Sequence, residues 1–174
     1  MGGSDGGLMN PYNVTLILVD KSNYSLGLDV IHEYKEMELG IYNYYRKYFE
    51  GLERCNLEAA DTAETRSKYY YVYNEDSSIV GFVRITDEDL YDLRSRLLGH
   101  IGFDIFPSAR RKGNGYKALT AAIALLREKD RESITITCKE DNLPSKKIIE
   151  KCGGQFQSEV DDPIFKIKVL IYTV

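Results

Sequence analysis

The feature that most constrains the fold is an alternation of strand and helix patterns in the second half of the chain. Ile101, Phe103 and Ile105 alternate with polar residues or glycine, which predicts a strand with one apolar face. An amphipathic helix pattern follows at Leu119 to Leu126, and a β-branched run at Ser133 to Cys138 predicts the next strand. Two strands joined through a helix pair in parallel, so this half of the chain predicts an α/β fold.

The remaining patterns extend the same domain in both directions. They predict, in chain order, a strand at 14–19, helices at about 26–37 and 41–52, a hairpin with strands at 69–73 and 79–86, a polar connection at 87–98, a short helix at 144–151 and a last strand at 164–174. We therefore predict a single-domain α/β fold with a mixed central β-sheet of about six to seven strands flanked by helices. It occupies residues 11–174, after a Gly-rich flexible leader at 1–10.

Composition excludes several classes of protein. With 174 residues, 43% of them apolar, and a net charge of −4, the chain can bury a core but lacks the basic character of a nucleic-acid binder. No apolar run approaches the roughly 18 residues of a membrane-spanning helix. The three cysteines show no metal-ligand spacing, so we expect no metal site and a cytoplasmic location.

The segment that carries chemistry is a basic, Gly-containing turn between the predicted strand and the helix that follows it. Arg110, Arg111 and Lys112 precede Gly113 and Gly115. Glycines let the backbone turn its N–H groups inward, and a helix N-terminus adds partial positive charge, so the turn can hold a phosphate. The alternative is a solvated loop in which a glycine simply starts a helix.

In this context the chain resembles the GNAT superfamily of acyl-CoA-dependent N-acetyltransferases. Arg110, Gly113 and Gly115 match the superfamily signature R/Q-x-x-G-x-G/A. Asn142 and Ser145, at the start of the next helix, match its Asn-x-x-Ser/Ala pattern. The two N-terminal helices and the hairpin also follow the superfamily's order of elements, so the resemblance covers nearly the whole chain, although its specific motifs lie in the second half.

The resemblance implies acetyl-CoA as co-substrate and assigns residues to it. Backbone N–H groups of the turn would bind the CoA pyrophosphate while Arg110 braces the turn. The strand would splay near Ile105, so that free backbone there holds the pantetheine arm and polarises the thioester carbonyl. Asn142 and Ser145 would approach the same arm. The cofactor-binding residues that the resemblance implies are Ile105, Phe106, Arg110, Arg111, Lys112, Gly113, Asn114, Gly115, Tyr116, Asn142 and Ser145.

Catalysis needs a base, because an acceptor ammonium must lose a proton before its nitrogen can attack. Asp104 and His100 lie on the strand face opposite the apolar residues, and either is a candidate base. The alternative for each is a structural hydrogen bond. The superfamily often places a tyrosine, as general acid, where this chain has Ile149, and Tyr116 and Tyr172 are substitutes for that role.

We predict direct transfer of the acetyl group to a primary amine, in a small molecule or a peptide, within a ternary complex. Residues 1–100 carry 10 basic and 17 acidic side chains, which favours a cationic acceptor. Glu33, Glu36 and Glu38 are candidates for the acceptor wall, although an acidic, solvated helix face is the simpler explanation. Oligomeric state stays open, with a homodimer among the options.

Other functions compete with this one. Gly113, Gly115 and Ala118 also match the dinucleotide-binding pattern G-x-G-x-x-A, but the first glycine lies too far from its strand and only 59 residues follow Gly115. A Walker-type phosphate loop fails because no Gly-Lys-Ser/Thr follows. A non-catalytic module that binds and senses acyl-CoA stays open, since Ile149 replaces the expected tyrosine.

Overall fold

The computed structural model describes residues 13–20, 22–54 and 67–174, and of residues 51–54 it describes the backbone alone. The predicted leader lies outside the described residues. In chain order the described elements are β1 (Thr15–Leu18), α1 (Tyr24–Val30), a 3-10 helix (Ile31–Tyr34), α2 (Leu39–Arg54), β2 (Ser67–Tyr73), β3 (Ile79–Thr86), α3 (Leu93–Leu98), β4 (Ile101–Ile105), a second 3-10 helix (Pro107–Ala109), α4 (Asn114–Arg127), β5 (Thr135–Lys139), α5 (Leu143–Lys151), β6 (Gln155–Asp162) and β7 (Ile167–Thr173).

These strands form one mixed sheet in the order β1-β2-β3-β4-β5-β7-β6. β1 to β4 are antiparallel neighbours, β4 and β5 are parallel, and β7 runs antiparallel to both β5 and β6. The predicted α/β class, with a mixed sheet flanked by helices, is confirmed, and the described part of the chain supplies seven strands. The parallel step comes where α4 joins two strands, as the alternating pattern requires.

Two parts of the sequence prediction are wrong. The segment predicted as a polar connection contains α3, a helix of 6 residues that is too short to show periodicity and begins at a capping box of Asp92 and Ser95. The single last strand is instead the hairpin of β6 and β7, turned by Asp162, whose side chain accepts the N–H groups of Ile164 and Phe165. Because β6 is a largely exposed edge strand, its sequence carries no apolar alternation.

Local signals set the ends of the two helices beside the parallel step. α4 starts directly after Gly113, which adopts left-handed backbone with φ 80°. α5 starts after Asn142, whose side-chain oxygen accepts the Ser145 N–H at 3.2 Å, and has Pro144 in its first turn. It ends at Lys151, and Gly153, just beyond its C-cap, is also left-handed with φ 92°. Since each helix follows one strand of the parallel pair, both helix N-termini lie at the same end of the sheet.

The N-terminal half packs on the sheet through aromatic side chains. Tyr45 and Phe49 of α2 contact Phe82 of β3, with ring centroids 4.4 and 5.5 Å apart, and all three are buried. Gly27 of α1 lies against Phe49, because a Cβ at this glycine would sit 2.3 Å from the ring. The Gly27 N–H also donates to the Tyr71 hydroxyl at 2.9 Å. This half is therefore held together by side chains from distant parts of the chain.

Within the three described segments, none of the helices combines the length and apolar character that a bilayer span needs. The same segments hold no group of three or more side chains arranged to bind a metal ion.

Candidate active site

β4 and β5 diverge, and their divergence opens the centre of the sheet. Among the described residues the two parallel strands pair at one position, Ile101 with Ile136, near the start of each strand. β4 stays paired with β3 along its whole length, from Ile101 to Ile105. The other edge of β4 therefore faces a gap over its C-terminal part.

The backbone groups that face this gap follow from the hydrogen bonds on the opposite edge of β4. Just outside the two ends of β4, the His100 carbonyl accepts an N–H of β3 at 2.8 Å and the Phe106 N–H donates to a β3 carbonyl at 2.9 Å, so the even-numbered residues pair with β3. The odd-numbered Phe103 and Ile105 consequently direct their N–H and C=O groups towards β5. An extended ligand can add to these groups like a strand.

A cleft of about 480 Å³ occupies the divergence and reaches the turn before α4. Its walls come from the segment before α2, from β4, from the turn and from the first turns of α4 and α5. Eight residues that the sequence analysis assigned to the site line this cleft, namely Glu38, Asp104, Ile105, Arg110, Arg111, Gly115, Asn142 and Ser145. The structure thus brings together one candidate base and most of the implied cofactor-binding residues.

The turn before α4 presents backbone N–H groups and positive charge. Arg111 and Gly113 both adopt left-handed backbone, with φ 58° and 80°, and such residues turn successive N–H groups to one side. The first bond within α4 runs from Lys117 N to Gly113 O at 3.1 Å, and no side chain caps the helix. The N–H groups of Asn114 and Gly115 therefore point out of the helix end, where an anion is stabilised.

Side-chain hydrogen bonds hold the turn in this shape. Asn114 Nδ2 and Lys112 Nζ each donate to a carbonyl at the start of the turn, both at 2.9 Å. Arg110 Nε donates to the Ile105 carbonyl at 2.9 Å. Arg110 thus fastens the turn to β4, and the side chain of Asn114 serves the turn and not the cleft.

Two carboxylates from the segment between α1 and α2 bind the same turn. Glu33 Oε1 accepts the Ser108 N–H at 2.6 Å. Both oxygens of Glu38 accept from the Arg110 guanidinium, at 2.9 and 2.5 Å, in a bidentate ion pair. Of the three glutamates expected at an acidic acceptor wall, Glu38 lines the cleft with its charge already paired, Glu33 is engaged by the turn and Glu36 is exposed.

Asp104 forms the inner wall of the cleft. Its Oδ2 accepts the Tyr45 hydroxyl at 2.6 Å. Burial raises the pKa of this carboxyl, and the Tyr45 hydrogen bond acts in the opposite direction. The fully buried Tyr34 hydroxyl has no hydrogen-bond partner among the described residues, and burial followed by the charge of Asp104 raises the Tyr34 pKa. Asp104 thus combines raised proton affinity with access to the cleft.

His100 has a structural environment. The ring is only 5% exposed, lies outside the cleft lining, and accepts the Thr135 N–H on Nδ1 at 2.8 Å. Burial and then the positive charge of Arg131 lower the pKa of His100 to about 4. A neutral imidazole whose acceptor nitrogen is engaged is a poor base, so Asp104 is the candidate that the geometry favours.

Other expected positions lie outside the cleft. Phe106 is buried in the core, and its N–H and C=O are both engaged by protein backbone, so it offers a ligand no group. Ile149 is also fully buried, which makes the superfamily's usual tyrosine position an apolar core position in this chain. Tyr116 and Tyr172, the substitutes for that tyrosine, do not line the cleft among the described residues.

Sequence reasoning missed several residues that shape the site. Tyr45 belongs to an apolar helical stripe, and nothing in its spacing shows that its hydroxyl reaches Asp104. Ile148 could have been found, since it lies three residues after Ser145 on the same face of α5. The cleft is also lined by residues that the sequence analysis did not assign to the site, namely Met37, Ile41, Phe103, Pro107 and Pro144.

Comparisons with known proteins agree with this geometry. A family model described as an acetyltransferase (GNAT) domain matches residues 27–155. A search of curated proteins gave no match. Similar solved structures include RimL, a ribosomal-protein α-N-acetyltransferase in complex with coenzyme A, with a TM-score of 0.73 and 14% identity over 97% of each chain.

Two further solved structures have the same fold. The microcin C7 self-immunity acetyltransferase MccE, in complex with acetyl-CoA and AMP, has a TM-score of 0.68 and 16% identity over 95% of this chain and 93% of its own. A chimera of spermidine N-acetyltransferase SpeG from Vibrio cholerae and hSSAT has a TM-score of 0.67 and 12% identity over 93% of this chain and 94% of its own. At these identities the structures show the fold alone.

The family model matches 129 of the 174 residues, including the turn and both helices that bound the cleft. The resemblance stated from the motifs is therefore confirmed, and the chain belongs to the GNAT acetyltransferase family.

Proposed function

We propose that this chain is an acetyl-CoA-dependent N-acetyltransferase that acts on a primary amine of a small molecule or a peptide by direct attack in a ternary complex. The observation that carries the proposal is the position of Asp104, a carboxyl of raised pKa on the wall of the cleft. The open edge of β4, the strand that carries Asp104, and the N-terminus of α4 form other parts of the same cleft. A base therefore lies where an acyl donor on that edge and an amine can meet.

The chemistry of the walls fits acetyl-CoA. The N–H groups at the start of α4, together with Arg111 and Lys112, suit a pyrophosphate. The N–H and C=O groups of Phe103 and the N–H of Ile105 suit the amide-bearing arm of the cofactor. RimL and MccE, which share the fold, were solved with coenzyme A and acetyl-CoA, and this supports the same cofactor for this chain.

Bound acetyl-CoA supplies the acetyl group as a thioester, whose carbon–sulfur bond breaks as the amine nitrogen bonds to the acetyl carbon. Asp104, directly or through a water, takes the proton that the acceptor ammonium must lose. The Ile105 N–H points into the gap and can donate to the carbonyl oxygen as negative charge develops there. After attack the nitrogen carries a positive charge and must lose a second proton, while the departing thiolate must gain one. Ser145 supplies the hydroxyl that lines the cleft in the described part of the chain, and it is our candidate for relaying this second proton from the nitrogen to the sulfur.

Isothermal titration with acetyl-CoA, desulfo-CoA and NAD tests the cofactor. We expect both CoA species to bind and NAD not to bind. Transfer is then measured by CoA release with a panel of peptide and polyamine amines, because RimL and SpeG are named for protein and spermidine acetylation. Absence of CoA binding overturns the proposal, and tight CoA binding without transfer to any amine favours the acyl-CoA sensor.

The role of Asp104 is tested by Asp104→Asn. We expect acetyl-CoA affinity to change by no more than about twofold and kcat/KM for transfer to fall by about 10²- to 10⁴-fold, the usual contribution of a general base. The wild-type rate should fall on the acid side at a higher pH than for an ordinary carboxyl, because burial raises the pKa of Asp104. An Asp104→Asn enzyme with the wild-type pH profile removes Asp104 from this role.

A further inference from the structure

Glu33 and Glu38, which we call the carboxylate brace, join the N-terminal half of the molecule to the turn before α4. Glu33 lies in the first 3-10 helix and Glu38 directly precedes α2. Their partners on the turn, the Ser108 N–H and the Arg110 guanidinium, lie 75 and 72 residues further along the chain. Both carboxylates therefore reach from the N-terminal half to the segment that carries the phosphate-binding N–H groups.

The turn has two physical reasons to need such support. Arg111 holds a left-handed backbone with φ 58°, which costs free energy in any residue other than glycine and persists only where the surroundings enforce it. Arg110, Arg111 and Lys112 also place three positive charges next to one another, which repel. Glu38 neutralises the first of these charges, and its hydrogen bonds raise the pKa of Arg110.

Arg110 extends the effect of Glu38 to β4. While two nitrogens of its guanidinium bind Glu38, the third donates to the Ile105 carbonyl at 2.9 Å. Ile105 is the residue whose N–H faces the gap between β4 and β5. The Arg110 side chain thus connects Glu38, the turn and the edge of β4. The cofactor would contact both the turn and this edge, so their relative position matters for its binding.

We propose that the carboxylate brace positions the acyl-CoA site and is not a ligand of the acceptor amine, with Glu38 acting through Arg110. This inference rests on the proposed function, because it assigns both residues to one of the two substrates of that reaction. The two acidic side chains of the brace then serve cofactor affinity. The acceptor therefore needs no positive charge besides that of the amine that reacts. Asp104 remains the carboxylate that meets the acceptor.

The test compares both substrates in Glu38→Gln. Arg110 and Glu38 are partly exposed, at 39% and 29%. We therefore expect a moderate effect, in which the Kd of acetyl-CoA rises about threefold to tenfold. The KM of the acceptor at saturating acetyl-CoA should stay unchanged. Arg110→Gln should give a similar loss, and the double variant should lose no more than the larger single loss, because both residues act through one contact.

Matched variants separate positioning from general charge effects. Glu36→Gln removes the same charge from an exposed neighbour and should change neither substrate's constant. Glu33→Gln keeps an oxygen that can accept the Ser108 N–H, so it should weaken acetyl-CoA binding less than Glu33→Ala does. Arg110→Lys keeps the charge but loses the bidentate geometry, and it provides a milder variant with the same expected direction if Glu38→Gln fails to fold.

The outcomes distinguish the two proposals. A wild-type protein that does not bind acetyl-CoA overturns the proposed function before the brace is tested. A wild-type protein that binds acetyl-CoA, together with a Glu38→Gln variant that binds it equally well, overturns the inference alone. A rise in the acceptor KM with unchanged acetyl-CoA affinity makes Glu38 an acceptor ligand and also overturns it.

Discussion

The two walls of the cleft are built in different ways. The wall that we propose for the cofactor, from β4 to α5 and called the cofactor wall below, uses backbone groups that are exposed by local features, such as the left-handed Gly113 and the helix cap at Asn142. The N-terminal wall uses side chains, such as Tyr45 and Glu38, that reach partners 59 and 72 residues away. A site made of backbone is visible in a short stretch of sequence, whereas a site made of side chains depends on how distant segments pack.

Gly115→Val should have the largest effect, and it should disrupt the cofactor wall without changing the N-terminal wall. A Cβ at Gly115 would lie 2.8 Å from Ile148 Cδ1 and 3.7 Å from the side chains of Ile105 and Phe103, so a β-branched residue fills the space between α4, α5 and β4. We expect the Kd of acetyl-CoA to rise by about 100-fold or more, a loss of roughly 3 kcal/mol. Isothermal titration measures the loss, and a thermal melt checks that the variant is folded.

Gly113→Asn is the control for this prediction. A Cβ at Gly113 would meet nothing within 4 Å, and asparagine tolerates the left-handed backbone that this position requires. We expect most of the acetyl-CoA affinity to remain. A loss as large as that of Gly115→Val would show that the steric explanation is incorrect.

His100 provides a test of stability at the point where β4 and β5 still touch. Its folded pKa of about 4 lies below the usual 6.5, so the unfolded chain takes up a proton first as the pH falls. The stabilisation that this difference in His100 pKa provides is fully present above pH 6.5 and is lost as the pH falls towards 4. The free energy of unfolding should decrease by roughly 2 to 3 kcal/mol over this range. Urea unfolding at pH 7.5 and at pH 5 measures this slope.

His100→Asn should flatten that slope, because the amide oxygen can accept the Thr135 N–H without titrating. His32→Asn, at an exposed histidine, should keep it. We also expect His100→Asn to retain acetyl transfer. Loss of transfer in a folded His100→Asn protein would return His100 to the list of candidate bases.

The N-terminal wall is best disturbed at Gly27. The methyl group of Gly27→Ala would lie 2.3 Å from the Phe49 ring and must push α1 away from α2, at a cost of about 1 to 3 kcal/mol in the free energy of unfolding. Urea unfolding measures this cost. Gly40→Ala in α2 is the matched control, since a Cβ there meets nothing within 4 Å, and it should leave stability unchanged or slightly higher.

The smallest effect is expected where the two walls meet, at the hydrogen bond between Tyr45 and Asp104. Tyr45→Phe removes the hydroxyl that donates to this carboxylate, so the Asp104 pKa should rise further. The acid limb of kcat/KM should move to higher pH. Tyr48→Phe, on the same helix, should leave the limb in place. An unmoved limb in Tyr45→Phe would contradict the assignment of Asp104 as the base.

Strand alternation illustrates how far the sequence can predict this site. It correctly separates His100 and Asp104 from the apolar face of β4, and it treats them as equivalent. Four residues of strand, however, separate them by about 13 Å along the chain. Asp104 therefore lies at the open end of β4 beside Tyr45, whereas His100 lies at the end that is still paired through Thr135.

Elements without a local signal were not predictable. β6 has no apolar alternation because one of its edges and most of its side chains face solvent, and the 6-residue α3 is shorter than two helical turns. α3 is held instead by the buried Arg84, which donates to the Leu98 carbonyl at 2.6 Å from 14 residues away. Such support exists only once the sheet has formed.

The sequence by itself determined the strands and helices on either side of the parallel step and the Gly-containing turn between them, because periodicity, glycine and helix caps act over a few neighbouring residues. Tertiary structure alone decided which carboxylate meets Tyr45 on the inner wall of the cleft and which two are bound to the turn. Glu33, Glu38 and Asp104 carry the same functional group, and only packing between segments more than 50 residues apart gives each one its partner.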